Sequence, residues 1–351
     1  MPTDSQVRGM LLEEALLYLL RVSGYRTLDN NAVHQDPTLF NGPNGLEVKG
    51  RGSKHQIDAI ADFRVVTPFT YPPRLLVEAK CYRNTSPVGL EIIRNAVGVL
   101  KDVSERWISI NSGGNVVKKR YHYQYAVFSA SGYTEEAKMY AFAQDIYLIS
   151  LSNSRFIQPL IRTIQTFNNR AVKELSASKE PGYRLKDLRQ EIRKLIYSTS
   201  EFRQQSIFTD SQNLDFLNQF ISEVKRMNGA ILGTLGGQFP VFLTPNPDQN
   251  LWELRDSMSV RLHWDRKSWY ISDEQGKPLF SFDLPTELEA YYTVGDILPL
   301  ERALDLKSER LSEIQAILTE EDRIRILTLR LDMQWLNEVR QHLAESKRNE
   351  N

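Results

Sequence analysis

Apolar side chains recur at helical spacing from the start of the chain: Leu11, Leu12, Ala15, Leu16, Leu19 and Leu20 share one side of a segment running from near Ser5 to Ser23. Gly24 is placed to stop that helix. A polar stretch over residues 29–45, with several Asn and Pro, reads as a loop. Three strands are predicted next, Leu46–Lys49, Gln56–Val66 and Arg74–Tyr82, the last two joined through TPFTYPP, whose prolines suit a hairpin connection rather than a strand. A helix over residues 87–107 follows, with Val88, Ile92, Ile93, Ala96, Val97 and Leu100 on one face. After it come a strand at Tyr123–Ser129, a helix at Thr134–Ala143 and an apolar strand at Ile146–Ser150. Helices alternating with strands after an opening hairpin predict an α/β sheet covered on both faces.

The pattern changes after SASKEPGY, residues 176–183, which reads as a linker. The expected division is therefore a domain over residues 1–170 and an α+β accessory region over 171–351. Within the latter, residues 185–228 read as helical and somewhat basic, 229–286 as a small β-rich part, and 300–346 as helices. The last helix is predicted to carry Ile324, Leu327, Leu331, Trp335, Val339 and Leu343 along one stripe.

Composition narrows the field only a little. The 351 residues include 44 basic and 44 acidic side chains, so any nucleic-acid surface must come from the distribution of charge rather than its total. One cysteine, Cys81, excludes an intrachain disulfide framework and a cysteine-based zinc site, and reads as a small buried hydrophobe. No apolar run reaches the length that spans a bilayer, and Glu13 and Glu14 interrupt the opening stretch, so a cytoplasmic location is the expectation.

The chemistry concentrates in HQIDAIADF and RLLVEAKCY. On a strand, alternate residues face the same way, so Glu78 and Lys80 project together while Ala79 and Cys81 project oppositely. An aspartate on the neighbouring strand would complete two carboxylates and an ammonium at one spot. Carboxylates suit a hard cation such as Mg²⁺, and a lysine beside them can orient or deprotonate a water or offset charge developing on phosphorus. The aspartate is open at this stage. Asp58 and Asp62 share a strand face, and a hairpin centred on Thr70 would set Asp62 opposite Glu78 and Asp58 near Tyr82.

Asp58 followed by Glu78-Ala79-Lys80 resembles the PD-(D/E)xK nuclease motif, and its surroundings resemble the Mrr-type restriction endonuclease branch. The points of likeness are Glu13 in LEEALLYLLRVSGY, the glycine-rich GRGSKHQID before the aspartate, the apolar helix starting near Val88, and AVFSASGYTEEAKMYA followed by IYLISL. Ile57 stands where the motif's proline would be. The resemblance covers roughly residues 8–168. It implies a restriction-endonuclease-like mixed sheet flanked by helices, metal ligation by Asp58, Glu78 and Glu13, and catalysis by Lys80 together with the two motif carboxylates. The implied activity is a Mg²⁺-dependent endonuclease on DNA, with Mn²⁺ as a substitute, in restriction or antiviral defence. A homodimer follows from the need to cut two strands. The C-terminal half is left for target recognition, for an activating ligand or partner protein, or for assembly.

Plainer readings stand beside these. Glu78 and Lys80 can be an ion pair at a strand end, and Glu13 a solvent-facing glutamate of a first helix. His55, Gln56, Arg83, Lys118, Lys119 and Arg120 are candidates for contact with a nucleic-acid backbone, against strand-edge and solvated-loop roles. Trp264, Trp269 and Tyr270 fit the core of a β domain better than a base-stacking platform. The alternatives to a deoxyribonuclease are a catalytically inactive nucleic-acid-binding or regulatory protein that keeps the fold, and a nuclease directed at RNA.

Overall fold

The opening helix α1 (Asp4–Val22) starts on a capping box: the Thr3 hydroxyl accepts the Gln6 N–H while the Gln6 side chain accepts the Thr3 N–H. Gly24, at φ 96°, turns the chain out of it in a conformation that a side chain would disfavour. The computed structural model describes residues 3–349 apart from 44, 67, 83–85, 107, 110–116, 119–120, 153, 168–173, 175–184, 199–209, 265–267, 286–287, 289–299 and 321–322. The chain is a mixed α/β protein in two compact units, Met1–Asn228 and Gly229–Asn351.

In the first unit the strands are β1 (Tyr25–Thr27), β2 (Leu39–Asn41), β3 (Leu46–Lys49), β4 (Lys54–Gln56), β5 (Ala59–Phe63) and β6 (Pro73–Lys80). Helix α2 (Leu90–Ser104), the short strands β7 (Ile108–Ser109) and β8 (Val117–Lys118), strand β9 (His122–Ser129), helix α3 (Glu135–Ala143) and strand β10 (Ile146–Ser150) follow. Helices α4 (Gln158–Thr166), α5 (Leu185–Tyr197) and α6 (Ser211–Arg226) complete it. The main sheet has the order β1-β5-β6-β9-β10, antiparallel from β1 to β6 and parallel from β6 to β10. Ile60, Leu76, Tyr125 and Val127 face Ile93, Ala96 and Val97 of α2 in one core. By alternation Ala59, Ala61, Leu75, Val77 and Ala79 face the other way, where α1 packs on β5 and β6. The predicted loop at residues 29–45 holds a 3-10 turn and β2, which joins β3 and β4 in a small separate sheet.

The boundary between units falls at Asn228/Gly229 rather than near residue 170, because α5 and α6 belong to the first unit. Their apolar faces (Leu188, Ile192 and Ile196; Leu217, Phe220 and Val224) are buried, α5 packs on α1, and α6 packs on α4. Phe216 meets Phe167 edge-on at 5.3 Å between ring centroids.

The second unit is built on a closed barrel. Its strands are β11 (Ile231–Leu235), β12 (Phe239–Pro245), β13 (Ser257–Trp264), β14 (Trp269–Ser272), β15 (Pro278–Phe282), β16 (Glu313–Glu320) and β17 (Arg323–Leu331). They close in the order β11-β12-β15-β14-β13-β17-β16, with helices α7 (Leu300–Glu309) and α8 (Met333–Asn349) flanking the last hairpin in sequence. Gly236 and Gly237, at φ 55° and 72°, make the β11–β12 turn. The expectation that 300–346 holds only helices is wrong, because the strands β16 and β17 lie within it. Ile324, Leu327 and Leu331 lie on β17, and only Trp335, Val339 and Leu343 lie on α8. The burial of Ile314, Ala316 and Leu318, and of Leu327, Leu329 and Leu331, has the period of two that a strand imposes. Trp269 is in the barrel core, stacked on Phe282, while Tyr270 stacks on His263 at 4.7 Å and Trp264 is exposed.

One polar network in the first unit is fully buried. Arg74, 1% exposed, gives Nε and Nη2 to the two Asp62 oxygens at 2.6 and 2.9 Å. Its Nη1 sits 2.8 Å from Asp36 Oδ2 and donates to Thr38 Oγ1 at 3.1 Å, and the guanidinium lies 3.5 Å above the Tyr121 ring. The Tyr121 hydroxyl donates to Asp36 Oδ2 at 2.7 Å. Burial alone would raise the Asp36 pKa, but Arg74, Tyr121 and Thr38 outweigh it and hold the carboxyl at about 2. Arg74→Ala takes the buried cation from two carboxylates, leaving Arg26 to Asp62 and Tyr121 and Thr38 to Asp36, so the expected loss is about 3 kcal/mol of unfolding free energy by urea titration. A loss under about 1 kcal/mol would show that the network does not hold the unit together.

Candidate active site

Strand pairing decides between the two aspartates. Asp62 pairs with Arg74 and Ala59 with Val77, so the β5–β6 hairpin is centred near Pro68, not Thr70. Asp58, one residue beyond the last pair, is thereby set against Glu78, and its Oδ2 accepts the Ala79 N–H at 2.8 Å. Asp62 is committed at the other end of the hairpin to Arg74 and, at 3.0 Å, to Arg26. The pairing of β5 with β6 is regular up to that point.

Glu78 and Lys80 project to the same side of β6, with Lys80 Nζ 2.5 Å from Glu78 Oε1. The Tyr125 hydroxyl, from the parallel neighbour β9, donates to Glu78 Oε2 at 3.2 Å. From α1, Glu13 approaches the group closely enough for the Asp58 charge to act on it. Glu13 is not solvent-facing: Arg189 Nη2 on α5 lies 2.5 Å from its Oε2. Glu14, wholly buried, takes Arg193 Nε and Nη2 on its two oxygens at 2.6 and 2.9 Å. Sequence reasoning missed Tyr125, Arg189 and Arg193. The only available signals were the Tyr121-Tyr123-Tyr125 alternation and the i, i+4 spacing of the two arginines on an amphipathic helix.

The other predicted contacts lie elsewhere. His55 Nε2 is 2.6 Å from Asp102 Oδ2, and the same carboxylate accepts the Gly52 and Ser53 N–H groups at 2.7 and 3.2 Å. The glycine-rich stretch therefore wraps an aspartate of α2. A Cβ on Gly50 would come within 2.0 Å of Asp102 Oδ2, which accounts for a glycine there. Gln56 is exposed on β4, opposite Glu47. Lys118 lies on β8. Arg83, Lys119 and Arg120 lie outside the described residues. Cys81 is half-buried, and burial pushes its thiol up to about 11, which leaves it a poor nucleophile.

Electrostatics mark the cluster as unbalanced. Burial, then the neighbouring Glu78, raise the Asp58 pKa from 3.8 to about 6 against the opposing pull of the Ala79 N–H, Lys80 and Arg189. Burial likewise raises Glu13 from 4.5 to about 7, with Asp58 and Glu14 adding to it and Arg189 opposing. For Lys80 burial works downward, but Glu78 outweighs it and holds the ammonium above the ordinary lysine value. Among the described residues no three of His, Cys, Asp and Glu are gathered as a metal cage. The donors nevertheless fit a hard divalent cation. They are carboxylate oxygens, two of them face each other across paired strands, and their charges are left mutually repelling in a place largely shut off from water.

That repulsion has a pH signature. Both carboxyls bind protons more tightly folded than unfolded, so between about pH 4 and pH 7 the folded chain holds more protons and its stability falls as pH rises. Thermal melts of metal-free protein are expected to show this decline. Asp58→Asn should flatten its lower part, and Mn²⁺ should raise the melting temperature chiefly above pH 7. A flat profile for the wild type would remove the electrostatic picture.

No family model matches the chain, and no curated protein is similar to it. A crystal structure of a protein of unknown function, AF1548, is similar over 63% of this chain and 98% of that one, at 18% identity and a TM-score of 0.35. Among the described residues no helix is long and apolar enough to cross a membrane.

Proposed function

We propose that the chain is a divalent-metal-dependent endonuclease of the PD-(D/E)xK type acting on DNA. The observation that carries this reading is the placement of Asp58 opposite Glu78, with Lys80 on the same side of the strand. Supporting it are the mixed five-stranded sheet between helices and the resemblance of the surrounding sequence to Mrr-type restriction endonucleases.

Asp58 and Glu78 are the residues that would hold the ion, with Glu13 as a third ligand. A bound Mg²⁺ supplies Lewis acidity toward the phosphate and a water of lowered pKa. The Ala79 N–H fixes one Asp58 oxygen, and Tyr125 fixes one of Glu78, so both carboxylates are oriented before any ligand arrives. In the metal-free chain Glu78 holds Lys80 as an ammonium, placed to donate to a water and to offset negative charge on phosphorus. Were the Glu78 oxygens to hold the ion, the Lys80 donors that now meet Glu78 would be left for the substrate. A role in restriction or antiviral defence, in the cytoplasm and as a homodimer, belongs to the same proposal. The barrel unit then serves target recognition, sensing of an activating ligand, or assembly.

The test is incubation of modified and unmodified plasmid with Mg²⁺ or Mn²⁺. Wild type should nick or cut it, and Lys80→Ala and Asp58→Ala should each lower the rate by at least about a hundredfold with the circular dichroism spectrum unchanged. Retained cleavage in Lys80→Ala would overturn the mechanism. Binding without cleavage by the wild type under every condition would favour a protein that keeps the fold only to hold nucleic acid, and preference for an RNA substrate would redirect the activity.

A further inference from the structure

Helix α5 brings two arginines to α1, and they are not equivalent. Arg193 meets the wholly buried Glu14 through two parallel bonds, which is sufficient to anchor α5. Arg189 is one turn earlier and reaches the other glutamate. Its Nη2 lies on Glu13 Oε2 at 2.5 Å, its Nε is 3.6 Å from Glu14 Oε1, and Nη1 has no protein partner among the described residues. Its charge reaches Asp58 as well as Glu13. A guanidinium beside the carboxylates, with a donor unmatched among the described residues, is placed to meet an anion entering the site.

Charge balance points the same way. With every group ionised, Glu13, Asp58 and Glu78 against Lys80 and Arg189 leave one net negative charge. A divalent cation turns that into one net positive charge, the complement of a single phosphodiester. Without Arg189 the loaded site would be neutral, and the phosphate would meet no net attraction.

We propose that Arg189 is a substrate-binding residue of the active site, holding a nonbridging oxygen of the scissile phosphodiester. The inference rests on the nuclease reading. It adds to that reading a residue from beyond the span that resembles known nucleases. Arg189 then acts on the two ligands in opposite directions: it attracts the phosphodiester and repels the divalent cation.

Full-length wild type, Arg189→Gln, Arg189→Lys and Arg193→Gln are compared in three measurements. These are Mn²⁺ uptake by electron paramagnetic resonance at pH 8.5, binding of a short fluorescent DNA duplex in Ca²⁺ at constant salt, and melting temperature. Arg189→Gln is expected to weaken duplex binding on the order of tenfold and to tighten Mn²⁺ several-fold. Arg189→Lys should fall between it and wild type. Arg193→Gln should lower the melting temperature and leave both affinities near wild type. Opposite signs for the two ligands would support the assignment, because a docking role alone weakens both together. Equal weakening of both in step with the melting temperature, or unchanged duplex binding, would overturn it while wild-type cleavage still stands. A wild type that takes up no Mn²⁺ and binds no duplex removes the nuclease reading itself, and the role of Arg189 with it.

Discussion

The first unit depends on one buried pairing, Arg74 against Asp62. A guanidinium with almost no exposure must find its partners or cost several kcal/mol, and the observed pairing supplies them by setting Asp62 directly across from Arg74. That choice fixes the register of β5 on β6, and a strand register is indivisible. Two pleats further along, it sets Asp58 against Glu78. Asp36, Thr38 and Tyr121 tie the neighbouring loop and β9 to the same guanidinium, so the parallel strand that brings Tyr125 to Glu78 is held from the same point.

The two ends of the hairpin show opposite treatments of buried carboxylates. At the Arg74 end, cations and hydroxyls exceed the demand, and Asp36 is held at about 2. At the Glu78 end, carboxylates outnumber cations, and Asp58 and Glu13 drift up to about 6 and 7. One strand pair thus carries a settled network that stabilises the fold and an unsettled one that costs stability. Deficits of the second kind cluster where a protein binds something.

Much of this was legible in the sequence. Alternation along one strand is a local rule, so Glu78 and Lys80 pair by inspection, and the helices α1 and α2 are legible from the spacing of their apolar residues. The register that chooses Asp58 over Asp62 is not legible, because it lies in a turn whose centre shifts by two residues with no change in composition, and nothing in the sequence around Arg74 marks it as the deciding partner. The burial of Glu13 and Glu14 is not legible, and Glu13 carries a solvent-facing reading beside its ligand role, because their arginines come 176 and 179 positions later. Strand β17 reads as helix in the sequence because Leu327 and Leu331 satisfy a spacing of four, continued by Trp335 on α8, as well as a spacing of two. The glycine-rich GRGSK enters the sequence reading only as the stretch before Asp58 that the resemblance matches, whereas its glycines make room for Asp102.

The anchoring of the hairpin by Arg74 also frees the turn that joins its strands. Because the register is set by a side-chain pair four residues from the carboxylates and not by the geometry of the connection, residues added to or lost from the segment between Phe63 and Pro73 would swell or shrink a surface loop and leave the opposed carboxylates untouched. The count of twenty residues from Asp58 to Glu78 is therefore an accident of this loop. Distant relatives of the site are better sought by an arginine four before the glutamate and an aspartate four after the other acid than by any fixed interval between the two.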